Sequence, residues 1–106
     1  MKNLKNWKNK KLLSKDELKR VKDLATNAFN RIGSGNYRQK LVYNLLNIAK
    51  ANNQKEFFWV LLRALNSQKD NIEAKKLIKE LKDFYPLTSE NFERLAYSII
   101  MGVMSA

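Results

Sequence analysis

The sequence predicts an all-α protein: about five antiparallel helices in a compact bundle, with a basic N-terminal tail. Three observations carry this. First, breakers are scarce: over 106 residues glycine stands only at 33, 35 and 102, and the only proline is Pro86. Second, apolar residues recur at three- and four-residue intervals, and no period-2 alternation argues for a strand. Third, start signals are regular. Ser14-x-x-Glu17, Asn53-x-x-Glu56 and Asp70-x-x-Glu73 each place a capping oxygen three residues before a carboxylate. A chain of this length is one domain, able to bury roughly 65% of its unfolded surface. Its 44% hydrophobic content argues against disorder throughout.

The domain reading is a basic flexible tail over 1–13 and a helical bundle over 14–106. The first helix is expected near 15–32, opened by Ser14 and closed at Gly33, with Leu18, Val21, Ala25, Ala28, Phe29 and Ile32 inward. A second follows near 37–51. Asn36-x-x-Gln39 is its weaker cap, and Tyr37, Leu41, Leu45 and Ile48 form its apolar face. The third, near 54–66, starts after Asn53 and is apolar almost all round. The fourth, near 71–84, carries Leu77, Ile78, Leu81 and Phe84 and stops at Tyr85-Pro86, because proline cannot continue a helix. Thr88 or Ser89 caps a fifth, near 89–103, with Leu87 as a hydrophobic staple. Connections of two to five residues favour antiparallel neighbours.

Charge is distributed unevenly. Up to Arg63 there are 15 Lys/Arg and 4 Asp/Glu, whereas from Ala64 on there are 6 of each. The whole surplus of +11 therefore lies before residue 64, and such one-sidedness draws polyanions, nucleic acid first. A plain abundance of lysine and asparagine is the competing explanation, but it leaves the neutral second part unexplained. With no cysteine and no histidine, disulfides, thiolate sites and the commonest general base are excluded. No carboxylate pair, glycine-rich phosphate loop or metal cluster is legible, so neither an enzyme nor a cofactor is expected. The longest apolar run, Ile99 to Met104 around Gly102, is far short of a membrane span. No export signal is legible either, and a cytoplasmic location is expected.

Several side chains stand out on the polar faces. On the second helix, Lys40, Tyr43, Asn47 and Lys50 share one line opposite the apolar face. A tyrosine between lysines suits base stacking with phosphate contacts, although Tyr43 can equally pack under the tail or another helix. On the third, Lys55, Trp59 and Arg63 recur every four residues, which fits stacking, a cation–π pair, a protein interface, or a partly buried tryptophan. Arg38 lies on the apolar side of its helix, either snorkelling or aimed at a phosphate, and the second is favoured. Lys15, Lys19 and Lys22 line one side of the first helix, where a solvated face is the simpler reading. The tail contributes Lys2, Lys5, Lys8, Lys10, Lys11 and Trp7 without an acid. Tyr97, Met101 and Met104 form a semi-exposed apolar line on the fifth helix, either core or a subunit contact.

From residue 37 on, the order of features is similar to a known family. The run Tyr37-Arg38-Gln39-Lys40-Leu41-Val42-Tyr43-Asn44-Leu45-Leu46-Asn47 is followed by Phe57-Phe58-Trp59-Val60-Leu61-Leu62-Arg63-Ala64-Leu65-Asn66. Phe92, Ala96-Tyr97 and Met101-Gly102-Val103-Met104 close the chain. The pattern resembles the small subunit of type I CRISPR Cascade complexes, notably the subtype I-B version related to the C-terminal helical region of the large subunit. It spans about two thirds of the chain and is a pattern of helical residues without a catalytic signature. The resemblance implies an all-helical subunit present in several copies, contacting crRNA-bearing backbone subunits and the large subunit. It also implies DNA contacts that stabilise the R-loop, with Arg38 and Arg63 as candidate DNA-path residues.

The expectation is thus a non-catalytic subunit that binds DNA without reading sequence, guide pairing supplying specificity. A stand-alone regulator is the main competitor. The Gly33-Ser34-Gly35 link can be read as a helix-turn-helix, but the second helix carries too much apolar surface to sit free in a groove. A pure interaction protein, using Trp59, Tyr97 and Met101 as contacts, is the third class.

Overall fold

A computed structural model describes residues 11–106, and among them stand five α-helices and no strand. They are α1 (Lys15–Phe29), α2 (Gly35–Lys50), α3 (Gln54–Leu65), α4 (Ile72–Phe84) and α5 (Ser89–Met104). The all-α bundle expected from the sequence is what the chain forms. Among the described residues no helix is long and apolar enough to cross a membrane.

The caps explain where each helix begins. Ser14 makes a full capping box, its hydroxyl accepting from the Glu17 N–H while Glu17 accepts from the Ser14 N–H. Asn53 caps α3 and Thr88 caps α5. Two caps differ from the expected ones. Helix α2 is capped by Ser34, not Asn36: Gly33 turns the chain at φ 66°, and Ser34 then accepts from the Tyr37 N–H. The helix therefore opens at Gly35, ahead of the expected residue 37. Helix α4 is capped by Asn71, not Asp70. Asn71 accepts from the Ala74 N–H and also donates to the Ala28 carbonyl at 2.8 Å, a bond no carboxylate can donate. Buried, it joins α4 to the end of α1.

The ends follow local chemistry. Helix α1 stops at Phe29, short of the expected residue 32, because Arg31 and Ile32 tighten into i→i+3 bonds before Gly33. Asn52 takes the left-handed conformation at φ 55°, with Asn53 bonded back to Ile48 and Asn52 to Ala49, a Schellman closure of α2. Helix α4 ends before Tyr85-Pro86, whose peptide bond is cis.

The packing departs from a simple antiparallel chain of neighbours. Helix α5 lies between α1 and α2, and those two consecutive helices barely touch. Helix α1 packs on α5 and α4, α2 on α5 and α3, and α3 on α4. Ser98 donates to the Leu18 carbonyl and Gly102 sits against Lys22 and Ala25, so α1 and α5 run parallel. With an odd number of alternating helices, the first and last point the same way. The α5 side chains Phe92, Leu95, Ala96, Ile99, Ile100 and Val103 are buried as the centre of the core. Phe57 of α3 meets Phe92 edge-on, at 5.4 Å and 82°.

Part of the expected tail is docked. Leu13 is buried; its N–H donates to buried Asn91 at 3.0 Å, and the Asn91 amide donates to the Lys11 carbonyl. Leu13 and the Lys11 carbonyl, placed by the sequence in the tail, are thus attached to the bundle through Asn91. Lys2, Lys5, Trp7, Lys8 and Lys10 lie outside the described residues.

Candidate nucleic-acid interface

Between Asp23 and Glu56 the chain holds no acidic residue and five cations, Arg31, Arg38, Lys40, Lys50 and Lys55. This stretch is α2 with its two flanking turns. Its apolar side, Leu41, Leu45 and Ala49, is buried, which turns the opposite side outward. Lys40, Tyr43 and Asn47 are all exposed, and Tyr43 is 69% accessible. Tyr43 is thus not packed against another described helix, one of the two alternatives to stacking; the other, the tail, lies outside the described residues over 1–10.

Helix α3 presents a second cation–aromatic line. Phe57, Phe58, Leu61, Ala64 and Leu65 are buried, leaving Lys55, Trp59 and Arg63 outside. The Trp59 indole is 58% exposed, and the Arg63 guanidinium stands 5.4 Å from its ring centroid as a cation–π pair. The corner between α2 and α3 is fastened to the loop before α5. Gln54 exchanges two hydrogen bonds with the Leu87 backbone, and the Asn52 amide donates to Ser89 at 3.0 Å.

The remaining cations divide by surroundings. Arg38 turns inward instead of outward. Its Nη1 donates to the carbonyls of Phe29, Ile32 and Gly33 at 3.3, 3.4 and 3.2 Å. The last turn of α1 has no basic residue of its own, so Arg38 supplies the missing C-terminal cation from the next helix. Arg38, expected to aim at a phosphate, thus places its Nη1 on the carbonyl end of α1.

Lys50 lines a cleft between α2 and α5 together with Glu90, Glu93 and Tyr97, so carboxylates share its field. Lys15, Lys19 and Lys22 are on α1, which packs on α5 and α4 and barely touches α2. Lys19 pairs with Asp23 at 3.4 Å, Lys15 is exposed beside Asp16, and Lys22 is half-buried. Arg20 bridges to Glu80 of α4 at 2.7 Å. Glu80 is therefore a partner for α1.

The apolar line on α5 is real but divided. Met101 and Met104 are 53% and 68% exposed and Tyr97 38%. Tyr97 belongs to the cleft with Lys50. Met104 belongs to another, about 390 Å³, with Arg38, Gln39 and Val42. Sequence reasoning missed Lys82 and Tyr85, which join Lys55 and Trp59 around a groove between α3 and α4. Tyr85 reads in the sequence only as part of a stop signal, and Lys82 carries no local pattern that sets it apart. An exposed aromatic immediately beyond a helix end was the available hint.

No family model, curated protein or solved structure matches this chain.

Proposed function

We propose that this protein is a non-catalytic helical module that binds the phosphate backbone of nucleic acid through the outer faces of α2 and α3. The observation that carries the reading is the acid-free stretch from residue 24 to 55, whose helix exposes Lys40, Tyr43 and Asn47 on one side. Lys55 and Arg63 on α3 add cations, with Glu56 the one acid beside them. Such a surface supplies charge and stacking but no set of side chains arranged to read base edges, so binding is independent of sequence.

Within this reading, the resemblance from residue 37 onward points to the small subunit of a type I CRISPR Cascade complex. There the module would sit in several copies along backbone and large subunits and steady the R-loop. Met101, Met104 and Tyr97 supply apolar area for subunit contacts.

The test replaces Lys40, Lys55 and Arg63 with alanine. All three are exposed, so the melting temperature stays within a few degrees. Nucleic-acid affinity falls, and the slope of log K against log salt flattens by about 0.7–0.9 per lost phosphate contact. Unchanged affinity and slope in the triple variant overturn this face as the interface. For the subunit assignment, co-expression with crRNA-bearing backbone subunits and native mass spectrometry count the copies. Failure to co-purify removes that assignment and leaves the backbone-binding reading intact.

A further inference from the structure

The groove between α3 and α4 has aromatic side chains from both sides and lysines among its lining residues. It encloses about 290 Å³ and is lined by Lys55, Phe58, Trp59, Leu62, Lys82 and Tyr85. Phe58 is 5% exposed and forms part of its floor. The Tyr85 ring leans on Phe58 with centroids 5.1 Å apart at 51°, which fixes its position while leaving it 38% exposed. Trp59, steadied by Arg63, stands 58% exposed on α3. Two lysines, one from each helix, line the groove, and no carboxylate is among the lining residues.

We propose that this groove receives a single unstacked nucleobase, its flanking phosphates held by Lys55 and Lys82. The inference deepens the function proposed above: it rests on nucleic-acid binding and names single strands as the preferred ligand. Size argues for it, since the volume falls just under the roughly 300–1,000 Å³ of drug-sized ligand sites and suits one planar group. Charge argues for it as well. Apolar, aromatic surface accompanied by ammonium groups matches a flat ring attached to an anion, whereas an apolar side chain from a protein leaves both lysines uncompensated. A base inside a duplex is already stacked and cannot enter without unpairing, so the groove discriminates between strands by accessibility. Single-strand binders commonly combine a positive path with aromatic stacking platforms.

The test uses the full chain with Trp7→Phe, so that Trp59 is the only tryptophan. A 15-nucleotide oligothymidine and a duplex of equal length are the probes. The single strand quenches Trp59 fluorescence; the duplex binds without comparable quenching. Trp59→Ala lowers single-strand affinity by roughly 5- to 150-fold, the stacking contribution of one base. Duplex affinity falls far less than single-strand affinity, while Trp59→Phe restores most of the single-strand loss. Lys82→Ala instead flattens the single-strand salt slope by about 0.7. Equal quenching by duplex, or Trp59→Ala binding single strands as the parent does, overturns the groove while the α2–α3 reading stands. Absence of any nucleic-acid binding at low salt overturns both, and quenching by an apolar peptide without the oligonucleotide assigns the groove to a protein partner.

Discussion

Gly102→Ala sets two physical effects against each other, and the structure decides between them. Gly102 lies inside α5, where alanine is the better helix former by about 1 kcal/mol. On propensity alone the substitution stabilises. A Cβ at this position, however, would stand 2.5 Å from the Lys22 carbonyl oxygen and 2.8 Å from the Ala25 Cβ. The first obstacle is backbone of α1, so no rotamer change relieves it. The Thr26 hydroxyl also bonds to the Gly102 carbonyl at 2.9 Å and to the Lys22 carbonyl at 3.0 Å, holding the two helices in register. Separating them costs packing along the most extensive helix–helix contact among the described residues. Overpacking of this kind costs about 1–3 kcal/mol, and the rigid obstacle places Gly102→Ala toward the upper end before the propensity gain is subtracted. A net loss of about 1–2 kcal/mol is expected, which lowers the melting temperature by about 4–16 °C. Circular dichroism melts of both proteins measure it. Gly35→Ala is the matched control: nothing lies within 4 Å of its Cβ position, so it leaves stability unchanged or raises it. A Gly102→Ala melting temperature equal to or above the parent's refutes the close parallel contact of α1 and α5.

Other perturbations test separate joints. Arg38→Met keeps the aliphatic stem but removes the three carbonyl bonds at the end of α1; we expect a loss of about 1–2 kcal/mol in urea unfolding, with nucleic-acid affinity within about twofold of the parent. Equal stability of that variant would remove the bracing role. Asn91→Ala leaves the Leu13 N–H and the Lys11 carbonyl without their side-chain partner, at about 1–3 kcal/mol, and amide exchange should accelerate at Leu13 well before it does in α5. Unchanged protection there would mean the segment is held by Leu13 burial alone. Asn71→Asp tests the second role of the α4 cap. The carboxylate still accepts from Ala74 but cannot donate to Ala28, so the variant melts lower than the parent even though aspartate caps as well as asparagine elsewhere.

What the sequence determined by itself was local. Helical periodicity, the Ser14–Glu17 box, the Asn53 and Thr88 caps, and the stops at Gly33, Asn52 and Tyr85-Pro86 are encoded within a few residues of where they act. The outward faces of Lys40, Tyr43, Lys55, Trp59 and Arg63 were legible for the same reason: a buried stripe fixes the angle of everything opposite it. What tertiary structure decided depends on which helix lies beside which, and no local pattern carries that. Asn71 and not Asp70 caps α4 because only an amide can also reach Ala28. Arg38 faces inward because the end of α1 lacks a cation of its own. Lys50 shares its cleft with Glu90 and Glu93 because α5, forty residues onward, inserts next to α2. The groove of Trp59 and Tyr85 exists only because α3 and α4 pack together, bringing side chains 26 positions apart to line one cavity. Periodicity tells a helix which side to bury, but the partner it is buried against is chosen by how the whole set of apolar faces closes.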